Sequence, residues 1–365
     1  MKTLWLGVII CLISLSARAK STEQGYFSPE GSYVFRNSSK PIPEDRTKEG
    51  ILNFFNQLIS EGFILCGQQC GDGDNIESIY QKSVVRLKEM TGKSPALIGA
   101  DYGWKDNNMA TINRALVRHW NAGGLVTLSW HLDNPFTRGY NVRWNSIENS
   151  KKINLYKLLA HAPDSPEKKS YRAELSKVAE ALSELKAQGV VVLWRPFHAM
   201  NGSWFWYGTD GAGEKQSNAA AFRALWMDLY KTLTETYHLD NLIWIYSPNK
   251  TNPELTASIE PTYPGFEFVD VVGLGTFGSQ PVFDDYPAFQ AMGKPLVISE
   301  VGPNTSSYGQ FNQLQIPGAF LGKAAYFLQW HSWSGARVSI VDNLHSATMM
   351  NHPKVIVLED LNPSL

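Results

Sequence analysis

The chain carries almost no net charge: 33 Lys and Arg against 34 Asp and Glu leave a formal −1 over 365 residues. Such a balance offers nothing to hold a polyanion, which excludes nucleic acid and anionic membrane surfaces as partners. Cysteine is scarce, with three residues at positions 11, 66 and 70. Beyond the first residues no stretch is long and apolar enough to cross a bilayer. The first strand–helix turn has no Gly-x-Gly-x-x-Gly, and Leu87 stands where a phosphate loop ending in Gly92-Lys-Ser94 needs glycine. Asp72-Gly-Asp-Asn75 opens like a calcium loop, but the later ligand spacing fails, so it reads as a solvated turn. Cys66-x-x-x-Cys70 lacks the further ligands of a zinc site. His-Glu-x-x-His and Gly-x-Ser-x-Gly are both missing, as is any repeat at solenoid spacing. No cofactor and no metal are expected.

Aromatic residues, in contrast, are plentiful: 12 Trp, 15 Tyr and 17 Phe, 12% of the chain. Most belong to a large core, while the surplus of Trp near strand ends points to a stacking site. Residues 1–19 read as a secretory signal: Lys2 supplies the positive start, Leu4 to Leu15 the apolar stretch, and Ala17-Arg18-Ala19 the cleavage site. The apolar run is too short for a membrane anchor, and Ile10 is a poor neighbour for lipidation at Cys11. Export to the periplasm or the medium is therefore expected, with no membrane insertion after cleavage. In that oxidising setting Cys66 and Cys70 form either a small-loop disulfide or two free thiols.

Residues 20–48 are polar and contain proline, as an extended arm would. From residue 49 onward, strand-like and helix-like segments alternate. Apolar spacing predicts helices over 51–61, 76–91, 109–122, 169–188 and 219–237. Short buried runs predict strands over 63–67, 96–102, 124–130, 190–194, 241–246, 269–274, 295–299 and 336–341. A long polar excursion covers 133–166. Eight strands alternating with helices predict an α/β chain folded as one (β/α)₈ barrel over 49–365. A monomer is expected.

A barrel of this kind works at the C-terminal ends of its strands. The residues falling there are Gln68 and Gln69; Asp101 and Tyr102; Trp130, His131 and Asp133; His198 to Asn201; Ser247 and Asn249; Glu300; Asp342 and Asn343. The fourth strand is chemically the densest. Pro196 ends its ladder, and Arg195, His198, Asn201, Trp204, Trp206 and Tyr207 follow within a few residues. Amphipathic rings beside fixed polar groups make a lip suited to sugars. Glu300 directly follows the buried run Pro295 to Ser299, so a carboxylate reaches the mouth from the opposite side. Glycosidic hydrolysis normally takes two such carboxyl groups.

The segment Trp194-Arg-Pro-Phe-His-Ala-Met-Asn-Gly-Ser-Trp-Phe-Trp-Tyr-Gly208 resembles the signature of glycoside hydrolase family 26, known chiefly for β-mannanases. Ser129-Trp-His131 and Lys294-Pro-Leu-Val-Ile-Ser-Glu300 resemble family segments too, and the likeness spans most of residues 50–345. The resemblance implies a retaining double displacement on β-1,4-mannans, with the acid/base on strand four and the nucleophile on strand seven. It assigns Glu300 as nucleophile and His131, His198, Trp204 and Trp333 as sugar contacts; Asp101 and Asn201 are read as substrate-binding as well. The departure is Ala199, which occupies the position of the acid/base Glu and can neither give nor take a proton. Gly275 and Phe277 also stand where the resemblance leads one to expect Asp and Tyr.

The expected function is that of an endo-β-1,4-mannanase acting on mannan, galactomannan or glucomannan, crippled by Ala199. The same resemblance admits an exo-acting mannobiose-releasing enzyme, a β-1,3-xylanase or a mixed-linkage β-glucanase. A glycan-binding protein without catalysis is the reading from another class.

Overall fold

The computed structural model describes residues 26–27, 33–34, 40–103, 108–137, 153–208 and 216–362. The expected signal segment and part of the polar excursion lie outside them. Two compact units are present, residues 1–39 and 40–365. In the first, Tyr26–Phe27 pairs antiparallel with Tyr33–Val34.

The second unit is a closed barrel of eight parallel strands. They are β1 (Ile64–Asp72), β2 (Leu97–Asp101), β3 (Leu125–Trp130), β4 (Val192–Pro196), β5 (Leu242–Tyr246), β6 (Val271–Phe277), β7 (Leu296–Gly302) and β8 (Tyr326–Gln329). Each pairs with its sequence neighbour, and β8 closes on β1 with Tyr326 opposite Leu65 and Gln329 opposite Gln68. Both faces of these strands are covered, which explains their largely apolar runs. Helices cover the outside. The first, α1 (Lys48–Glu61), starts where the Thr47 side chain accepts from Gly50 N–H, and the long helix Pro166–Ala187 starts at Ser165 with proline in its first turn. No helix among the described residues is long and apolar enough to cross a membrane.

The barrel unit begins at Lys40 rather than at residue 49. Lys40 Nζ pairs with Asp360 at 2.8 Å, and the Arg46 guanidinium sits 3.5 Å over the Trp120 ring. Residues expected to be an arm are thus bonded to the barrel.

The eighth strand also differs from expectation: it is Tyr326–Gln329, not 336–341. The later segment is a largely buried loop, Arg337 excepted, with Val338 O accepting from Gln329 Nε2 and Ile340 N donating to Gln68 Oε1. Burial alone gives a loop and a strand the same apolar run. Asp342 and Asn343 consequently do not end a strand. Asp342 pairs with Arg86 at 2.7 Å, and the Asn343 amide staples its own loop through Arg337, Val338 and Ser339 carbonyls.

Cys66 and Cys70 are free and buried. Both lie on β1, four residues apart, and an extended strand separates such positions too far for a disulfide. Burial pushes both thiols well above their ordinary pKa.

Candidate active site at the mouth of the barrel

Glu300 lies within β7, opposite Gly275 of β6. Its Oε1 is 3.0 Å from Arg195 Nη1 and 3.4 Å from His198 Nε2. Arg195 comes from β4, is fully buried, and is steadied by Thr127 Oγ1, which accepts from its Nε at 3.0 Å. Burial raises the Glu300 pKa above the usual carboxylate value, against the pull of Arg195. The carboxyl is therefore a poorly solvated base held in place from one side by a permanent cation.

After Pro196 the chain turns sharply. Phe197 and Ala199 both adopt left-handed backbone angles, with φ of 51° and 56°. Such angles are costly for residues other than glycine and persist where surrounding structure enforces them. Here Ala199 N–H donates to Ser247 O at 2.8 Å, anchoring the turn to the end of β5. Between the two strained residues, His198 is aimed at Glu300. Burial first, then the nearby charges of His131 and Arg195, hold His198 well below its ordinary pKa, so it is neutral. Nε2 is the ring nitrogen turned towards the Glu300 carboxyl.

A second layer comes from β2 and β3. Asp101 accepts from His131 Nδ1 at 2.6 Å, from His131 N–H at 3.3 Å and from Ser129 Oγ. Burial would raise the Asp101 pKa, but His131 and these hydrogen bonds outweigh it and keep the carboxylate ionised. With Nδ1 committed to Asp101, the His131 ring is fixed in orientation. Its ring stands edge-on to His198, centroids 4.4 Å apart at 83°. Asp101, expected as a substrate contact, is thus occupied in orienting His131.

The aromatic lip divides in two. Trp204 is partly exposed, and its ring lies so close over Gly202 that a Cβ there would fall 1.7 Å from it. Trp206 and Tyr207 are buried: Trp206 Nε1 donates to Leu132 O, and Tyr207 OH to His198 O. These two shape the turn rather than the lip. Asn201 is likewise fully buried, its amide donating to the Asn249 and Ala257 carbonyls and accepting from Asn249 N–H. It locks the β4 loop to the β5 loop.

Phe205 was not legible as a site residue, yet its ring stands 4.8 Å from His131, edge to face, and 5.5 Å from His198. Trp330 follows the short strand Tyr326–Gln329, which the sequence pattern does not mark. Its N–H donates to Val301 O, beside Glu300, at 3.0 Å. Trp333, three residues on, is about half exposed, at 51%.

Of the mouth residues from the other strands, Gln68 ties β1 to β8 by donating to the Gln329 and Trp330 carbonyls. Tyr102 OH turns away to Asn113, and Ser247 Oγ meets Ser299 Oγ at 2.6 Å. A Cβ on Gly275 would lie 2.0 Å from Asn249 Oδ1, so no carboxylate fits there with Asn249 in place. Phe277 pairs with Gly302 and brings no hydroxyl towards Glu300. Among the described residues no three His, Cys, Asp or Glu side chains converge as metal ligands would.

A buried carboxylate fixed by an arginine, a neutral histidine and flanking rings suits attack on an electrophilic carbon. Comparison with known proteins agrees with that chemistry. Residues 40–359 match the sequence family described as glycosyl hydrolase family 26. A mannan endo-1,4-beta-mannosidase of Bacillus subtilis is 35% identical over 305 residues, covering 80% of this chain and 81% of the relative. Another from Bacillus subtilis strain 168 is 32% identical, covering 90% and 89%. A solved structure of a Bacillus subtilis mannanase superposes with a TM-score of 0.72 at 28% identity, covering 87% of this chain and 95% of that one.

Proposed function

The chain belongs to glycosyl hydrolase family 26, and from that premise we propose that it is a retaining glycoside hydrolase of the mannan endo-1,4-β-mannosidase type whose acid/base position is occupied by Ala199. The observation that carries this reading is Glu300, buried in β7 and held by Arg195 and His198 beside the turn that bears Ala199. Glu300 attacks the anomeric carbon of a mannosyl unit. The bond to the departing sugar oxygen breaks, and an ester to Glu300 forms. In a complete site a carboxylic acid at position 199 protonates the departing oxygen, then as carboxylate takes a proton from the water that hydrolyses the ester. With a methyl group there, each proton transfer loses a catalyst worth roughly 10²–10⁴-fold. The chain therefore binds mannan oligosaccharides and cleaves them slowly. Export, expected from residues 1–19, would bring it to a polymer that cannot enter a cell.

The decisive comparison is sugar release from galactomannan by this chain and by Ala199→Glu. A gain of at least about 10²-fold in the substituted chain supports the reading. Equal and rapid hydrolysis by both would remove Ala199 from the argument. A second reading, a glycan-binding protein, rests on Ala199 as well; it is favoured if Ala199→Glu binds mannan but gains no activity.

A further inference from the structure

Two glycines of β6, Gly273 and Gly275, let side chains from β5 and β7 approach each other across the strand between them. At Gly273 the approach is complete. An added Cβ would lie 2.8 Å from Ser299 Cβ, and Ser247 Oγ, just past β5, meets Ser299 Oγ at 2.6 Å. One step nearer the mouth the pattern recurs with Asn249, Gly275 and Glu300. Asn249 forms a parallel bridge with Gly275, and Gly275 pairs with Glu300. Asn249 Oδ1 stands 2.0 Å from where a Gly275 Cβ would be. The amide thus fills the place of a residue-275 side chain, one strand spacing from the base of the Glu300 side chain.

The two rows differ in their hydrogen bonds. Ser247 and Ser299 satisfy each other, whereas Asn249 bonds through its backbone. Its N–H donates to Asn201 Oδ1 at 2.8 Å, and its carbonyl accepts from Asn201 Nδ2 at 2.7 Å. On the other flank Gly275 N–H donates to Pro248 O and Gly275 O accepts from Lys250 N–H. The half-buried side-chain amide makes no hydrogen bond among the described residues. It is a firmly mounted group with a donor and an acceptor to spare. Its neighbour is a carboxylate whose Oε1 already serves Arg195 and His198. A hydroxyl, which donates and accepts, suits that position. When Glu300 bonds to an anomeric carbon, the nearest ring hydroxyl is the one on C2, and hydrogen bonds to it strengthen in the transition state.

We propose that Asn249 is a substrate-contacting residue: its side-chain amide, folded over Gly275, holds the 2-hydroxyl of the sugar whose anomeric carbon Glu300 attacks. The inference rests on the glycoside-hydrolase reading above and deepens it by one named contact. Gly275 belongs to the device, because the lack of a side chain there is what admits the amide. Being neutral, the amide orders the sugar without setting a second negative charge against Glu300, as a carboxylate at 275 would.

The test is the maximal burst rate of phenol release from an aryl β-mannoside and from its 2-deoxy analogue. It is measured for the parent chain, Asn249→Ala, Gly275→Ala and the double variant, with melting curves to check folding. Asn249→Ala should slow the burst on the mannoside roughly 10–100-fold. On the 2-deoxy analogue it should change the rate by no more than about twofold. Gly275→Ala puts a methyl group where the amide lies, so it should give the same selective loss, and the double variant should lose no more than Asn249→Ala alone. Equal losses on both substrates would make Asn249 a structural support, and no loss would remove it from the reaction; either overturns the proposal. Additive losses in the double variant do so too, since Gly275 would then act independently of Asn249. If Asn249→Ala does not fold, Gly275→Ala decides by the same pair of substrates. A parent chain that gives no burst with an aryl β-mannoside, β-glucoside or β-xyloside overturns the hydrolase reading and this inference with it. A burst that neither substitution changes overturns the inference alone.

Discussion

Arg195 Nη1 lies 3.0 Å from Glu300 Oε1, and the guanidinium is fully buried. Two influences meet at that carboxyl: burial, which raises its pKa, and the arginine charge, which lowers it. Arg195→Met removes the second and leaves the first. The acid limb of glycosyl-enzyme formation should then move up by about one pH unit or more, and unfolding should become easier by about 3–5 kcal/mol. Pre-steady-state release of an aryl leaving group across pH, with calorimetric melting, measures both. An unmoved acid limb would mean that Arg195 does not set the charge of Glu300.

Attack by Glu300 needs no proton donor when the leaving group is already a good one. An aryl β-mannoside should give a rapid burst of one equivalent of phenol followed by slow turnover, and azide should accelerate the slow phase to yield a β-mannosyl azide. Glu300→Gln should abolish the burst. An α-configured azide by proton NMR would rule out double displacement.

Asp101 and His131 should behave as a unit. Asp101→Asn keeps the volume but places an amide against His131 Nδ1–H, so the imidazole loses its fixed tautomer. Glycosylation by the aryl mannoside should slow, with a stability loss of about 1–3 kcal/mol from the disturbed buried groups. The ¹⁵N shifts of the His131 ring report the tautomer directly; an unchanged pattern would make Asp101 a spectator.

Acid should destabilise the barrel through buried imidazoles. Burial holds His119 down from 6.5 to about 4, with the Ala96 carbonyl opposing. The unfolded chain protonates this residue below about 6.5, and the folded chain does not. Its contribution to stability is therefore complete above the unfolded value and is lost as pH falls from 6.5 to about 4, up to about 3 kcal/mol. His198, also depressed, acts in the same direction. Urea midpoints of the parent and His119→Gln near neutral and mildly acidic pH should diverge, the parent losing more. Parallel losses would acquit His119.

Much of this site was legible because buried parallel strands announce themselves as apolar runs, and a polar residue ending such a run has few places to go. That pattern put Glu300, His198 and His131 at strand ends, and the structure brings them together, His198 within 3.4 Å of Glu300 and edge-on to His131. The eighth strand is hard to read because Tyr326–Gln329 is four residues long, while most of the loop 336–341, Arg337 excepted, is buried too. The hydrogen bond between Asp101 and His131 was invisible because the two are thirty residues apart in the chain and one strand apart in space. Asn201 looked like a sugar contact for its type and position, and nothing local could reveal that two carbonyls from the next loop would claim its amide.

The bent backbone at Phe197 and Ala199 has a consequence for descent. Arranging a main chain this way requires many coordinated residues, whereas alanine and glutamate codons can differ by a single base. If only the side chain at 199 separates this protein from an active one, the route back is a point mutation. The lineage would then have kept the whole scaffold of a catalyst while setting its reaction aside.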